Sequence, residues 1–291
     1  MRGLIVKGIG GFYYVHTDEG IIEAKGRGIF KKDGITLCVG DEVEISIIDE
    51  ANSKGIIEKI LPRKNCFIRP PIANVDSFIV VFAAASPAPN FPVIDKFLVN
   101  AERHGIEPII CINKKDLVSE DTLEKLCEIY KDAYQVIAVS TITGDGLTEL
   151  KKLIKGKKAA LAGPSGVGKS SILNQLHPDA NMETGEVSKK TDRGKHTTRH
   201  VEIFQADHGG MIYDTPGFTS FEMPDDIELF DLKDYYPEFV RYNGQCKFDN
   251  CNHIKEPECA VRKAVKNGEI HLIRYKAYLA NFEEIKQNSK Y

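Results

Sequence analysis

The chain has 291 residues, of which 42% are hydrophobic and 28% charged, and its formal net charge is −3. This length exceeds what one hydrophobic core usually serves, so we expect two or three domains, and the composition excludes disordered and fibrous classes. The near-neutral charge requires any nucleic-acid contact to come from local basic patches. No apolar stretch approaches membrane-spanning length and no signal-peptide core follows Met1, so we expect a cytoplasmic protein without membrane contact.

The first part of the chain consists of short β-like runs separated by glycines. These runs cover residues 4–7, 12–16, 21–24, 42–48 and 56–60. Five short strands in such a length predict a small closed β-barrel, and the oligonucleotide-binding (OB) fold is the commonest module of this size. The alternative is another small β-domain.

A proline-rich stretch with Pro62, Pro70 and Pro71 predicts a linker, after which the pattern changes. Strand-like and helix-like segments then alternate. Strands are predicted at 77–85, 106–112, 135–140 and 159–162, and helices around 94–101, 122–130 and 147–154. This alternation predicts a doubly wound α/β sheet.

Beyond residue 225 the chain becomes acidic, aromatic and irregular, and it turns helix-like from Ala260 onward. A unit this small needs a cross-link, such as cysteines can supply, in addition to its own core. We therefore expect three domains, at residues 1–65, 72–225 and 226–291, with the last one mainly helical.

A glycine-rich GxxxxGK[ST] motif follows the strand at 159–162 and precedes an apolar helix at 172–176. In a phosphate-binding P-loop, glycines let backbone N–H groups surround the β-phosphate, while the lysine bridges β and γ oxygens. The hydroxyl of Ser170 is placed to bind magnesium. The expected nucleotide contacts are Gly163, Pro164, Ser165, Gly166, Val167, Gly168, Lys169, Ser170 and Ser171.

A second segment, Asp214-Thr215-Pro216-Gly217, ends the apolar strand predicted at 211–213. Alone it would be read as an ordinary turn. Downstream of a P-loop, it matches the place where Asp214 serves the magnesium ion and Gly217 contacts the γ-phosphate.

An NKxD sequence, Asn113-Lys114-Lys115-Asp116, sits at the carboxyl end of a predicted strand, the edge at which α/β sheets bind ligands. The Asp116 carboxylate can accept from guanine N1–H and the exocyclic amino group, an arrangement that adenine does not present. Ser140 and Thr141, at the end of the next strand, can add backbone contacts to the base. The alternative, a charged loop, is favoured for the motif alone but not beside a P-loop.

Three of the seven cysteines crowd around one histidine near the C-terminus. Cys246, Cys251, His253 and Cys259 supply three thiolates and an imidazole, the ligand set of a closed tetrahedral zinc. With no position open for water the site would be structural, and its binding free energy, on the order of 10 kcal/mol, would hold a small domain together. The alternative is a coincidental cluster of cysteines.

The order of the motifs departs from that of Ras-like GTPases, because NKxD and Ser140 precede the P-loop. In this the chain resembles the circularly permuted GTPases, and specifically the ribosome small-subunit-dependent GTPase family. The resemblance spans the whole chain. It implies an N-terminal OB-fold, a permuted P-loop GTPase domain, a C-terminal zinc module, and small ribosomal subunits and their rRNA as partners of a monomer.

The segment at 189–200 is basic and lacks an apolar face, which predicts a mobile loop. Thr197 or Thr198 could bind magnesium when GTP is present, and the sequence does not decide between them. Phe218 stands where many GTPases carry a water-orienting glutamine, and the resemblance implies that His196 takes this role. The alternative is that His196 is a solvated loop histidine.

The motifs favour a GTPase, and the resemblance implies that it assists late maturation of the small ribosomal subunit and is stimulated by the ribosome. One alternative is a GTP-gated RNA-binding module in which hydrolysis is incidental. Another, a P-loop kinase or ATPase, is opposed by Asn113 and Asp116. A positive side suited to RNA phosphates is expected from Lys247, Arg262, Lys263, Lys266, Arg274 and Lys276. The alternative is that these are ordinary solvated side chains on helices.

Overall fold

The computed structural model describes residues 1–68, 70–177, 201–206, 209–214, 223 and 227–288. They form two compact units. The first comprises Met1–Ser77, Lys151–Leu161 and the described part of Ser170–Phe218. The second comprises Phe78–Leu150, Ala162–Lys169 and the described part of Thr219–Tyr291.

The first unit contains the closed five-stranded barrel that the strand-and-glycine pattern predicts. Its strands run in the order β1-β2-β3-β5-β4, and β4 pairs back onto β1 with Arg2 opposite Glu44. Ile5, Val15, Val43 and Ile57 are completely buried and form its core. The strands are β1 (Arg2–Ile9), β2 (Phe12–Thr17), β3 (Gly20–Gly26), β4 (Glu42–Asp49) and β5 (Lys54–Ile60), with a short helix α1 (Gly28–Lys32) after β3.

Where we predicted a linker, the chain forms a small antiparallel hairpin, β6 (Cys66–Ile68) and β7 (Pro71–Ala73). Amide side chains hold it: Asn65 donates to the Val75 carbonyl at 2.8 Å, and Asn74 donates to the Gly40 carbonyl at 2.9 Å. The proline-rich stretch is therefore ordered structure attached to the barrel.

The sheet of the first unit continues from β1 through β12 (Glu202–Gln205) and β13 (Met211–Asp214) to β11 (Lys158–Ala162). β11 and β13 are parallel, whereas β12 is antiparallel to β13 and to β1. Lys7 and Glu202 pair across β1 and β12 with a 2.7 Å ion pair. Helix α5 (Lys169–Leu176) begins at the end of the P-loop.

The second unit carries the α/β alternation. Its strands run in the order β8 (Ser77–Ala83), β9 (Glu107–Asn113), β10 (Gln135–Ala138), with β9 and β10 parallel. Every residue of β8 is buried, as expected for a strand covered on both faces. Its helices are α2 (Phe91–Arg103), α3 (Glu120–Glu128) and α4 (Leu147–Leu153).

The C-terminal part of the second unit is mainly helical, as predicted from residue 260 onward. It contains a 3-10 helix (Leu232–Tyr235), α6 (Pro237–Val240), α7 (Ala260–Asn267) and α8 (Leu272–Asn288). Tyr236, Phe239 and Tyr278 are fully buried and pack ring against ring. Helix α8 is tied to α2 by Lys96 and Glu284, 2.5 Å apart. Among the described helices, none combines the length and apolarity that a bilayer crossing requires.

Candidate functional site

The P-loop occupies the turn between β11 and α5, and its three glycines are required there. Gly163, Gly166 and Gly168 all have positive φ values, of +142°, +79° and +98°. A Cβ atom on Gly163 would lie 2.1 Å from the Val81 carbonyl oxygen, a distance that no side chain tolerates. The motif therefore adopts the strand-turn-helix context that phosphate binding needs.

Lys169 is held above this loop. Its ammonium donates to the carbonyl oxygens of Gly163, at 2.6 Å, and Pro164, at 2.7 Å. Burial lowers the pKa of Lys169 to about 8. An anion beside the ammonium would favour its charged form, so this lysine is well placed to bind phosphate oxygens.

The NKxD motif contacts the P-loop directly, although the two lie far apart in the chain. The buried Asn113 donates through Nδ2 to the Val167 carbonyl at 2.9 Å. Lys114 has a left-handed backbone and donates through Nζ to the Gly166 carbonyl at 2.9 Å and to the Ser86 carbonyl at 2.5 Å. Sequence reasoning assigned both side chains to the nucleotide. The structure shows that they also brace the phosphate loop.

Gly168 has a second role in this contact. A Cβ atom on it would lie 2.2 Å from Nδ2 of Asn113, so the amide can reach the loop only past a glycine. Of the P-loop glycines, this is the one whose missing side chain makes room for the neighbouring motif.

The rest of the predicted base site lies on the same unit. Lys115 begins a 3-10 helix (Lys115–Leu117), its N–H donates to the Val139 carbonyl at 3.2 Å, and Asp116 is exposed. The buried Ser140 hydroxyl accepts from the N–H groups of residues 142 and 143, which shapes the turn containing Thr141. The exposed Asp116 carboxylate and this turn thus lie beyond the ends of β9 and β10.

The predicted magnesium residues Ser170 and Asp214 both belong to the first unit, with Ser170 in the first turn of α5 beside Ser171. Asp214 ends β13, whose neighbour β11 is parallel and ends at the same edge of the sheet. Hydroxyl and carboxylate oxygens are the donors that Mg²⁺ prefers, so these residues fit the ion. His196, Thr197, Thr198 and Gly217, like Phe218, lie outside the described residues.

The predicted zinc ligands converge. One donor atom each from Cys246, Cys251, His253 and Cys259 lies within 4.8 Å of all the others. Nδ1 of His253 is 3.7 Å from the Cys246 sulfur and 3.3 Å from the Cys259 sulfur, and these two sulfurs are 4.0 Å apart. With zinc–sulfur bonds of about 2.3 Å and zinc–nitrogen bonds of about 2.0 Å, tetrahedral ligand atoms lie roughly 3.5–3.8 Å apart. The cluster is compatible with zinc.

The surroundings of the cluster act in both directions. Burial raises the pKa of Cys251 and of Cys259, whereas two backbone N–H groups and a neutral histidine suit metal ligation. Backbone N–H groups of Ala260 and Arg262 point at the Cys246 and Cys259 sulfurs, at 3.3 and 3.4 Å, which stabilises negative charge on them. Burial lowers the pKa of His253 to about 4, so its imidazole is neutral and can donate a lone pair.

One member of the expected basic surface is not on the surface. Arg274 is only 2% exposed, and its Nε lies 2.7 Å from a Glu238 carboxylate oxygen, while Nη1 contacts Asp95. The prediction that Arg274 faces RNA is therefore wrong, because two buried carboxylates pair with it. The other expected basic residues are exposed: Lys247, Arg262, Lys263, Lys266 and Lys276.

Comparison with known families agrees with this geometry. The RsgA N-terminal domain matches residues 2–57, and the RsgA GTPase matches residues 60–224. The chain belongs to the RsgA GTPase family. Membership confirms the resemblance inferred from motif order and the expectation of a GTP-hydrolysing enzyme.

Individual relatives of the RsgA family are similar along the full chain. Proteins named "Small ribosomal subunit biogenesis GTPase RsgA" from Carboxydothermus hydrogenoformans and Caldanaerobacter subterraneus are 47% and 46% identical over 291 residues. The alignments cover 100% of this chain and 99% and 97% of those proteins.

Two solved RsgA-like structures share the fold. YjeQ from Thermotoga maritima is 42% identical with a TM-score of 0.84, and 98% of each chain is covered. YloQ, described as a circularly permuted GTPase, is 38% identical with a TM-score of 0.81, covering 99% of this chain and 95% of that one. The expected fold class is confirmed: an N-terminal barrel, a permuted GTPase domain and a C-terminal helical region with the cysteine–histidine cluster.

Proposed function

We propose that this chain hydrolyses GTP while it assists the late maturation of the small ribosomal subunit, and that the subunit or its rRNA stimulates hydrolysis. The observation that carries the proposal is the pair of hydrogen bonds from Asn113 and Lys114 to the P-loop carbonyls. A base-reading segment braced against a phosphate-binding segment is the arrangement that a guanine nucleotide requires. The name of the relatives supports the ribosomal role.

In this proposal the phosphates lie in the loop Gly163–Ser170 and accept from its backbone N–H groups, of which Pro164 has none. Lys169 lies against the β and γ oxygens, and Ser171 lies in the following helical turn. Asp116 reads guanine, Asn113 and Lys114 hold the two segments together, Lys115 flanks the carboxylate, and the Ser140–Thr141 turn contacts the base. The Asp116 carboxylate, which adenine would leave unpaired once the base covers it, supplies the discrimination.

Magnesium, when bound with GTP, neutralises charge that develops between the β and γ phosphates. We assign Ser170 and Asp214 to the ion, together with either Thr197 or Thr198, and Gly217 to the γ-phosphate. His196 would orient the attacking water, since Phe218 cannot. If His196→Ala left the stimulated GTPase rate unchanged, this assignment would fall.

The cysteine–histidine cluster would hold one structural zinc. Four protein ligands leave no position open for water, which argues against a catalytic metal. We further propose the domain limits 1–65, 72–225 and 226–291, a monomeric chain, action in the cytoplasm, and contact of the exposed basic residues with rRNA phosphates.

Hydrolysis of GTP should be measured with and without purified small ribosomal subunits, beside an ATP control. We expect subunits to raise the GTP rate by at least tenfold and ATP to remain unhydrolysed. GTP-dependent subunit binding without stimulated turnover would instead identify a GTP-gated RNA-binding module. Equal turnover of ATP and GTP would contradict the base site itself.

A further inference from the structure

Two cysteines outside the zinc cluster lie face to face in the first unit. Cys38 precedes β4 and is 1% exposed, while Cys66 begins β6 and is partly exposed. Their sulfur atoms are 3.5 Å apart, although 28 positions separate them in the sequence. A disulfide needs sulfurs about 2.05 Å apart, so the two sulfur atoms would have to approach by about 1.5 Å to form one.

A fixed guanidinium accompanies the pair. Arg63 donates through Nε and Nη2 to the two oxygens of the buried Asp41, at 2.6 and 2.8 Å, and through Nη2 to the Thr36 carbonyl at 2.6 Å. Its remaining nitrogen, Nη1, points at the Cys66 sulfur from 3.3 Å. Because the ion pair with Asp41 immobilises the guanidinium, one N–H donor is held on the sulfur.

These contacts give the two thiols different roles. A hydrogen bond from Cys38, and then the charge of Arg63, lower the pKa of Cys66 to about 7 against the opposing effect of burial. The hydrogen bond to Cys66, and then burial, raise the pKa of Cys38. The more exposed sulfur is thus the better thiolate, and the buried one lies directly behind it. The titratable groups around them are Asp41, Arg63, Tyr13 and Tyr213.

We propose that Cys66 and Cys38 form a peroxide-reactive dithiol site, in which Cys66 is the attacking thiolate and Cys38 the resolving thiol. The Cys66 thiolate attacks one oxygen of hydrogen peroxide, the O–O bond breaks, and hydroxide leaves and is protonated to water. The Cys38 sulfur then attacks the Cys66 sulfenic acid, the S–O bond breaks, and a second water leaves. The two thiols lose two electrons in total, and peroxide is reduced to two waters.

The test is oxidation of the full chain by hydrogen peroxide at pH 7, followed by alkylation and peptide mapping without reduction. Cys127 is the internal control, because it is also partly exposed but burial raises the pKa of its thiol. We expect a linked Cys38–Cys66 peptide to accumulate while Cys127 stays alkylatable. Zinc content of the same samples reports separately on Cys246, Cys251 and Cys259.

Single variants distinguish the two roles. In Cys38→Ser, Cys66 should accumulate sulfenic acid that dimedone traps, whereas in Cys66→Ser, Cys38 should remain reduced. The rate for the unaltered chain should rise with pH through a midpoint near 7. Arg63→Gln should move that midpoint upward, and Arg63→Lys should move it less because the charge is kept.

The size of the effect follows from two opposing factors. If Arg63→Gln returned the pKa of Cys66 to about 8.5, the thiolate fraction at pH 7 would fall about fifteen-fold. The greater intrinsic nucleophilicity of the more basic thiolate would recover about five-fold, so oxidation of Cys66 should be at most roughly three-fold slower. The proposal would be overturned if Cys66 were oxidised no faster than Cys127. It would also be overturned if Cys38 and Cys66 were both oxidised without forming a linked peptide. Either result would leave the GTPase assignment untouched.

Discussion

Gly168→Ala tests the contact between the base-reading segment and the phosphate-binding segment. An alanine at φ +98° carries a conformational cost of about 1–2 kcal/mol, and its Cβ atom would meet Nδ2 of Asn113 at 2.2 Å. Relief of that clash turns the amide away from the Val167 carbonyl. A buried donor and acceptor left unpaired cost about 1–3 kcal/mol, so we expect a total destabilisation of about 2–5 kcal/mol.

Gly166→Ala is the matched control. Gly166 also has positive φ, at +79°, but a Cβ atom there meets nothing nearer than Pro87, at 3.8 Å. The Gly166→Ala variant should lose only the stability that the unfavourable backbone conformation costs, about 1–2 kcal/mol. Urea unfolding of both variants, monitored by circular dichroism, compares their free energies of unfolding. Nucleotide is left out, so that an effect of either methyl group on phosphate binding does not enter the comparison.

A double-mutant cycle makes the test specific. In the Asn113→Ala background the added methyl group meets no amide. Gly168→Ala should therefore lower the free energy of unfolding by only about 1–2 kcal/mol. The two substitutions should therefore be non-additive by about 1–3 kcal/mol. Additive effects, or equal losses for Gly166→Ala and Gly168→Ala, would refute the idea that this glycine makes room for Asn113.

Three further outcomes are expected. Asp116→Asn should weaken GTP binding at least about a hundredfold and favour xanthosine triphosphate, whose 2-oxo group accepts from an amide, in competition binding assays. Cys259→Ser should abolish stoichiometric zinc by atomic absorption and lower the melting temperature of the C-terminal region, with Cys127→Ser as the unaffected control. Burial raises the pKa of Asp95 to about 7 although Arg274 opposes it, so protonation of this carboxyl competes with its pairing to Arg274 as the pH falls. Its contribution to stability is present below about pH 4 and is lost as the pH rises through about 7, and Asp95→Asn should flatten this dependence in thermal melts.

Most of the architecture was predictable because it depends on local periodicity. The fully buried β8 appears in the sequence as an uninterrupted apolar run, and the barrel strands appear as short runs between glycines. The P-loop, NKxD and cysteine–histidine motifs could be found for a related reason: each has a spacing that its chemistry imposes.

What could not be predicted depends on partners far away in the chain. Arg274 looks like any exposed helical arginine until Asp95 and Glu238 are placed around it. The β6–β7 hairpin has strands of three residues, and the amide contacts of Asn65 and Asn74 that hold it have no periodic signature. Nor does any motif bring Cys38 to Cys66, because their approach follows from how that hairpin attaches to the barrel.

The permuted chain order gives these long-range contacts particular weight. Asp214 ends β13, and the C-terminal helical region begins with the 3-10 helix Leu232–Tyr235. That region is held to α2 by the buried pairing of Arg274 with Asp95 and by the ion pair of Lys96 with Glu284. In the chain, α2 lies between β8 and β9. It contacts both α8 and β9, so the helical region packs onto the neighbour of the strand that ends in Asn113. The C-terminal helical region is therefore fixed to the part of the second unit that carries Asn113, through contacts that a flexible tether could not provide.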